Sequence, residues 1–289
     1  MNTVTDNIVN ELELLEKDLR QFLTNHSGIE RIIFPHDNII SASGDYSFKK
    51  LKPEAIGLQD QLYKSFNRIF NLIEILLSDS PSKHLKTLKN CRKQIERIIL
   101  QNQMTWSDSV SKAIDSSAKN FIDIKELLLT LFPKSQEWPI LVIDTNAFYS
   151  NTDFEKWVFS EFQRFELIIT PSVLRDLDKH KIEHRNESIR KKAITIIKKI
   201  KEYRRRGKLT EGVTIIKDKI ALRTIAIEPN FETSLKWLDP NNEDDRLIAE
   251  YLEIARKNCG RVVIMVTNDI NLQNKCEVTD IPFIESPMK

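Results

Sequence analysis

Little cysteine, no long apolar run and almost no net charge mark this chain, and each shortage removes a class of protein. The three cysteines, Cys91, Cys259 and Cys276, are scattered, odd in number and free of C-x-x-C spacing. They argue against a disulfide framework or a structural zinc site and suit a reducing compartment. No apolar run approaches the length that crosses a bilayer, so no membrane partner is expected. A formal net charge of +2 excludes a polycation, and any contact with nucleic acid has to come from local patches. The first residues carry Asp6, Glu11, Glu13 and Glu16 with no basic stretch ahead of an apolar one, so no secretory signal is expected there. Internal repeats and low-complexity segments are also lacking. The expectation is a soluble, cytoplasmic protein.

What is present is a globular composition, 40% hydrophobic and 30% charged over 289 residues, enough for two domains that each bury a core. Up to Pro133 the patterning is helical: Ile8, Leu12, Leu15 and Leu19 recur at helical spacing, as do Leu62, Phe66, Ile69, Ile73 and Leu76. Ser78-Asp-Ser-Pro-Ser82 reads as a break, with helices predicted over about 82–101 and 107–131 and a loop or short hairpin over 32–44. Phe132-Pro-Lys-Ser-Gln-Glu-Trp-Pro139 is the boundary, giving an all-α domain over 1–137 and a second domain over 138–289. In the second domain strands are predicted near 140–144, 166–170, 213–217, 262–267 and 282–285. Helices are predicted over 152–163, 171–182, 187–206, 243–257 and 270–276. That alternation implies an α/β/α sandwich around a central parallel sheet with right-handed crossovers.

Three of the apolar runs lead into an aspartate. Ile140-Leu-Val-Ile143 ends at Asp144, Leu167-Ile-Ile169 leads through Thr170-Pro171 to Asp176, and Val262-Val-Ile-Met-Val266 leads to Asp269. A further cluster, Asn242-Glu243-Asp244-Asp245, opens a helix at Arg246-Leu-Ile-Ala249. A parallel sheet carries its crevice at the carboxyl ends of its strands, so these acids are expected to converge on one edge. Each acid alone also reads as a cap or a solvated helical residue; the set does not. Converging carboxylates repel and take up protons unless a cation sits among them. Hard oxygen donors suit magnesium or manganese, which turn bound water into a nucleophile and stabilise a leaving alkoxide. Asp144 is placed directly by its strand, with Thr145 and Asn146 able to hydrogen-bond it. Asp245 is favoured over Asp244 because Leu247, Ile248 and Ala249 then pack the next turn on the sheet. Thr267 is positioned to donate to a ligand carboxylate or a phosphate, and Asp178 points to another face than Asp176.

Asp144-Thr145-Asn146, the P-x-V-L-x-x motif ending on Asp176, Asp244-Asp245 leading into a helix, and Thr267-Asn268-Asp269 resemble the motifs of PIN-domain nucleases, in the family's order. Asp176 stands where many members carry Glu, which shortens its reach. The resemblance covers about Pro139 to Pro287 and implies a PIN-like fold and Mg2+- or Mn2+-dependent endonucleolytic cleavage of single-stranded RNA. It implies Asp144, Asp176, Asp245 and Asp269 as catalytic metal holders, assisted by Asp244. It also implies toxin, RNA-processing or RNA-decay roles.

A basic stretch lies between the second and third acidic motifs: Lys179, Lys181, Arg185, Arg190, Lys192, Lys198, Lys199, Lys201 and Arg204-Arg-Arg206. Ile189, Ala193, Ile196, Ile197 and Ile200 share one helical face, which leaves most of the bases opposite. With Asn146 and Thr267, the residues Lys179, Lys181, Arg185 and Arg190 are candidate substrate contacts; the other reading is a solvated helix exterior. His180 and His184 lie four apart, but the glutamate between them is at the wrong offset for a zinc protease motif, so solvent-facing or phosphate-contacting roles are expected. Trp106, Trp138, Trp157 and Trp237 are expected as packing anchors and Met265 as core strand. Competing readings are a structure-specific DNA nuclease and a PIN-like RNA-binding scaffold with a weakened site. A haloacid-dehalogenase-like phosphatase lacks its second Asp, because Asn146 stands there. A receiver-like domain would want its phosphoacceptor on a middle strand and a late lysine. The helical half is expected to mediate oligomerisation or control, with an inhibitor or sensing protein as partner.

Overall fold

Apolar residues three and four apart make the first half of the chain helical in the computed structural model, which describes residues 2–32, 46–101, 104–105, 107–226 and 228–287. The chain divides into two compact units, Thr5–Pro133 and Lys134–Lys289, the latter including Met1–Val4. In the first unit, α1 (Val4–His26) buries Ile8, Leu12, Leu15 and Leu19. A short strand β1 (Ile29–Arg31) and another, β2 (Tyr46–Phe48), follow. Next come α2 (Pro53–Leu76), opened by its own proline, α3 (Ser82–Leu100), β3 (Met104–Thr105) and α4 (Val110–Leu131), whose first turn is capped by Ser109. The three short strands form an antiparallel sheet, so this unit is mostly helical and not all-α as expected. Most of the loop or hairpin expected at 32–44 lies outside the described residues, and so does Trp106.

The second unit alternates strand and helix. Its elements are β4 (Ile140–Ile143), α5 (Thr145–Ser150), β5 (Phe165–Ile169), α6 (Pro171–Glu183) and α7 (Glu187–Arg204). Then follow β6 (Val213–Ile216), β7 (Ile220–Thr224), α8 (Glu243–Lys257), β8 (Val263–Val266), α9 (Ile270–Val278) and β9 (Phe283–Ile284). The strand order is β6-β7-β5-β4-β8-β9; every neighbouring pair is parallel except the β6–β7 hairpin. Helices flank this sheet, as the sequence implies for an α/β/α sandwich. The central strands β4 and β8 are buried along their whole length, as strands covered on both faces must be. Met265 is core, as expected.

Three expectations change. The strand β7 was not anticipated; it pairs with β6 across Lys217-Asp-Lys219, where Asp218 adopts a left-handed φ of 58°. The short helix α5 follows Asp144 immediately. The helix expected over 152–163 is a single 3-10 turn, Phe154–Lys156, followed by a bridge between Phe159 and Phe162. An aromatic cluster dictates that path: Phe148 packs on Phe154 and Trp157, and Phe159 packs edge-on to Trp157 and Phe165. Trp157 is buried and its indole N–H donates to the Asn151 carbonyl at 3.1 Å, whereas Trp237 is 49% exposed and anchors no core.

Because Phe148 is fully buried and fixes α5 behind Asp144, Phe148→Ala is expected to cost about 3–5 kcal/mol by urea unfolding. A loss below about 1 kcal/mol would show that the cluster does not hold α5.

Candidate active site

Parallel register brings the first and last acids together. Ile143 on β4 pairs with Val266 on β8, and the Asp144 N–H donates to the Val266 carbonyl at 3.0 Å. The next residue on each strand is therefore set side by side, and the buried Thr267 hydroxyl donates to Asp144 Oδ2 at 3.0 Å. Thr267 thus serves a carboxylate within the protein. Asp269 follows at the start of α9, where its Oδ1 accepts from the backbone of Asn271 at 2.8 Å and Leu272 at 3.3 Å. Asp269 is a helix cap and an edge acid at once.

The backbone N–H groups of Thr145 and Asn146 serve Asp144, as the sequence led one to expect, while their side chains reach across to acids from other segments. Thr145 Oγ1 donates to Asp176 Oδ2 at 3.3 Å, and Asn146 Nδ2 donates to Asp269 Oδ2 at 3.1 Å. The first motif therefore ties together the second and fourth. Asp178 points away, exposed and paired with Lys181.

The third motif is built differently. Asn242 caps α8, accepting from the Asp245 N–H at 3.1 Å, so neither aspartate is the cap. Asp245 is buried; one oxygen accepts from the Asp239 N–H at 2.9 Å and the other lies 2.7 Å from Lys275 Nζ. Lys275 also stands 3.3 Å from Asp244 and 3.0 Å from the Asn242 amide oxygen. A lysine on α9 thus supplies a cation to the third motif, a residue that spacing alone did not single out. Leu247, Ile248 and Ala249 are buried behind it.

Burial pushes the Asp144 carboxyl up to about 6; the Thr267 hydroxyl and the Thr145 and Asn146 N–H groups oppose the rise, while Asp269 adds to it. Asp176 is also pushed up to about 6, by burial and then by the charge of Glu243, against Thr145, Lys179 and Arg175. Glu243 thus joins the acidic edge, and Lys179 bridges to it at 3.1 Å. Burial and the Asp144 and Asp244 charges raise the Cys276 thiol to about 12, which keeps it protonated and unreactive. All three cysteines are buried and none is in a disulfide.

The helix carrying Asp176 is held by a buried acid of α8. Glu250 Oε1 accepts from the Ser172 N–H at 3.0 Å and the Ser172 hydroxyl at 2.9 Å, occupying the place of a cap at the start of α6. Burial holds its carboxyl above the ordinary glutamate value. Nothing in the sequence pattern marks this contact, because it joins residues 78 apart.

Several basic candidates are engaged elsewhere. Lys181 pairs with Asp178, and Arg190 donates to the carbonyls of His184 at 2.5 Å and Arg185 at 3.4 Å, holding the turn between α6 and α7. Arg185 is exposed, and Lys179 stays at the acidic edge. His180 is half-buried and not fully solvent-facing: its Nδ1 lies 2.9 Å from the Tyr149 hydroxyl, and burial lowers its pKa. His184 Nδ1 accepts from the Asn186 N–H at 3.1 Å, and the two rings stand 5.0 Å apart in an edge contact.

The donor set is all oxygen and suits a hard divalent cation, with two carboxyls held near 6 by burial. Among the described residues, no three histidine, cysteine or carboxylate groups are gathered closely enough to hold an ion as they stand. Asp144, Asp176 and Asp269 are linked through Thr145 and Asn146, while Asp244 and Asp245 face Lys275.

Residues 141–286 match the family model described as PIN domain, a span that contains every acid of this edge. A comparison with curated proteins finds no match.

The raised Asp144 pKa has a signed consequence for stability. From about pH 4 to 6 the unfolded chain loses this proton before the native one, so the folded state is destabilised as pH rises through that window. Asp144→Asn, neutral throughout, is expected to be more stable than wild type at pH 7 in the presence of EDTA, with the difference vanishing near pH 4. Equal urea midpoints at pH 7 would contradict the burial penalty.

Proposed function

The chain belongs to the PIN-domain family, a family of nucleases, and from that membership we propose that it is a magnesium- or manganese-dependent endonuclease hydrolysing single-stranded RNA. The observation that carries this reading is Asp144, buried at the end of a central strand, oriented by Thr267 and raised to about 6. A carboxylate in that state is stabilised by a bound cation. Asp144, Asp176 and Asp269, with Asp244 and Asp245, would hold the metal, which supplies a hydroxide nucleophile and charge neutralisation when bound. Thr267 keeps Asp144 turned to the crevice, and Thr145 and Asn146 keep Asp176 and Asp269 beside it. Lys179, exposed at the same edge beside Glu243, would meet a substrate phosphate. The buried, protonated Cys276 does not serve as nucleophile. RNA is the substrate the motif resemblance favours; a structure-specific DNA nuclease would use the same acids.

One observation supports a second reading, a PIN-like RNA-binding module with a weakened site. Lys275 already neutralises Asp244 and Asp245, so the third motif has less need of a metal. The helical unit, Thr5–Pro133, is proposed to serve oligomerisation or control by a protein partner.

Matched single-stranded RNA and DNA oligonucleotides incubated with the full chain and manganese are expected to show internal cleavage of RNA. Asp144→Asn and Asp269→Asn should each lower the rate by at least about 100-fold. RNA left intact by wild type, together with no manganese binding by calorimetry, would move the assignment to the binding module. Preferential cutting of DNA would select the other polymer.

A further inference from the structure

Beside the acidic edge, at the carboxyl end of β7, lies a cavity of about 770 Å³ bordered by α6, the end of α7 and the loop that follows it. Its place in the sheet is fixed. Strand β7 runs parallel to β5, and the Ile225 N–H just past β7 donates to the Ile169 carbonyl at 3.1 Å. Ile169 leads through Thr170 into α6, which carries Asp176. The cavity therefore opens on the same sheet edge as Asp144, two strand spacings away, or about 10 Å.

The lining has two parts. Ile200 and Leu209 are buried and, with Leu174, Ile197 and Ile225, give an apolar floor. Lys201, Arg204 and Arg205 are exposed around it. Neighbouring cations are already committed: Arg206 pairs with Glu202 at 3.1 Å and lies over the Tyr203 ring, and Lys208 pairs with Glu211 at 2.8 Å. Lys201, Arg204 and Arg205 have no ion-pair partner among the described residues. The one carboxylate in the lining, Asp178, is tied to Lys181. A helix C-terminus favours basic residues, but that preference accounts for neither three uncommitted cations nor an apolar hollow beneath them.

We propose that this cavity is a nucleotide subsite for the single strand whose backbone crosses the acidic edge. One unpaired base rests on the apolar floor and the adjoining phosphates lie on Lys201, Arg204 and Arg205. The proposal rests on the nuclease reading and adds to it a place where the substrate is held away from the cut. The volume is that of a small-molecule site, apolar at its base with a few polar groups converging on it. Guanidinium planes can both stack on a base and hold a phosphate. A duplex keeps its bases stacked and paired, so the pocket selects single strands.

The test uses full-length Asp144→Asn protein in EDTA and a labelled single-stranded RNA 12-mer, read by fluorescence anisotropy across a salt series. Adding Lys201→Ala, Arg204→Ala and Arg205→Ala is expected to raise Kd about 10-fold or more. The slope of log K against log salt should become shallower by about 2, the value for three phosphate contacts on a single strand. Lys201→Arg, Arg204→Lys and Arg205→Lys should keep the slope. Removing the base at successive positions should weaken binding at one position in the parent and at none in the triple alanine variant. A triple variant with unchanged Tm, affinity and slope overturns the subsite, as does a parent that does not bind the 12-mer. Displacement of the RNA by poly-glutamate of matched charge also overturns it, in favour of an acidic protein partner. Wild type that binds through these cations yet cuts nothing supports the subsite and removes the nuclease reading. Wild type that cuts while the triple variant binds unchanged removes the subsite alone.

Discussion

The pairing of β4 with β8 is the constraint from which the site follows. With Ile143 opposite Val266, the residues just beyond each strand must lie next to one another, and these are Asp144 and Thr267. A one-residue slip would turn every side chain of a strand to its other face and put the carboxylate on the wrong side of the sheet. Both strands are buried on both faces, so packing enforces that register along their length. The site is in this sense a by-product of core packing.

Around that fixed point, the other acids are held by donors from different segments. Thr145 and Asn146 extend from the turn after β4 to Asp176 and Asp269, while Lys275 joins α9 to the start of α8. Glu250 ties α8 to the first turn of α6. Each acidic segment therefore has a neighbour that fixes its position before any ligand arrives. Pre-organisation of this kind removes part of the ordering cost from binding. It also buries carboxyls, and burial first, with smaller additions from neighbouring acids, holds Asp144, Asp176 and Glu250 above their ordinary values.

Much of the fold was legible because burial imposes periodicity. The helices at 171–183, 187–204 and 243–257 and the strands at 140–143 and 263–266 all carry apolar patterns set by one or two buried faces. The hairpin strand β7 escaped notice because Lys217-Asp-Lys219 carries no glycine to announce its turn. The aromatic residues from Phe154 to Phe162 have spacings compatible with a helix, yet they pack as a cluster across tight turns. At the site, the strand-end acids were readable from their place after apolar runs. Lys275 and Glu250 were not, since their roles depend on contacts between distant segments, and Glu243 was read as part of the acidic cluster without its effect on Asp176. Thr145 and Asn146 were read correctly as partners of Asp144 through their backbone N–H groups, but the further reach of their side chains to Asp176 and Asp269 was hidden for the same reason.

The far margin of the sheet carries a separate consequence. Strand β9 is only two residues long and follows Pro282, which has no N–H to offer another strand. Long flat edges invite a second chain to add a strand, and short edges interrupted by proline discourage it. The opposite margin, β6, is irregular in register between Thr214 and Ile216, a second device against extension. Both borders of this six-stranded sheet are thus blunted against β-mediated self-association, so its fully buried central strands offer little template for a further strand.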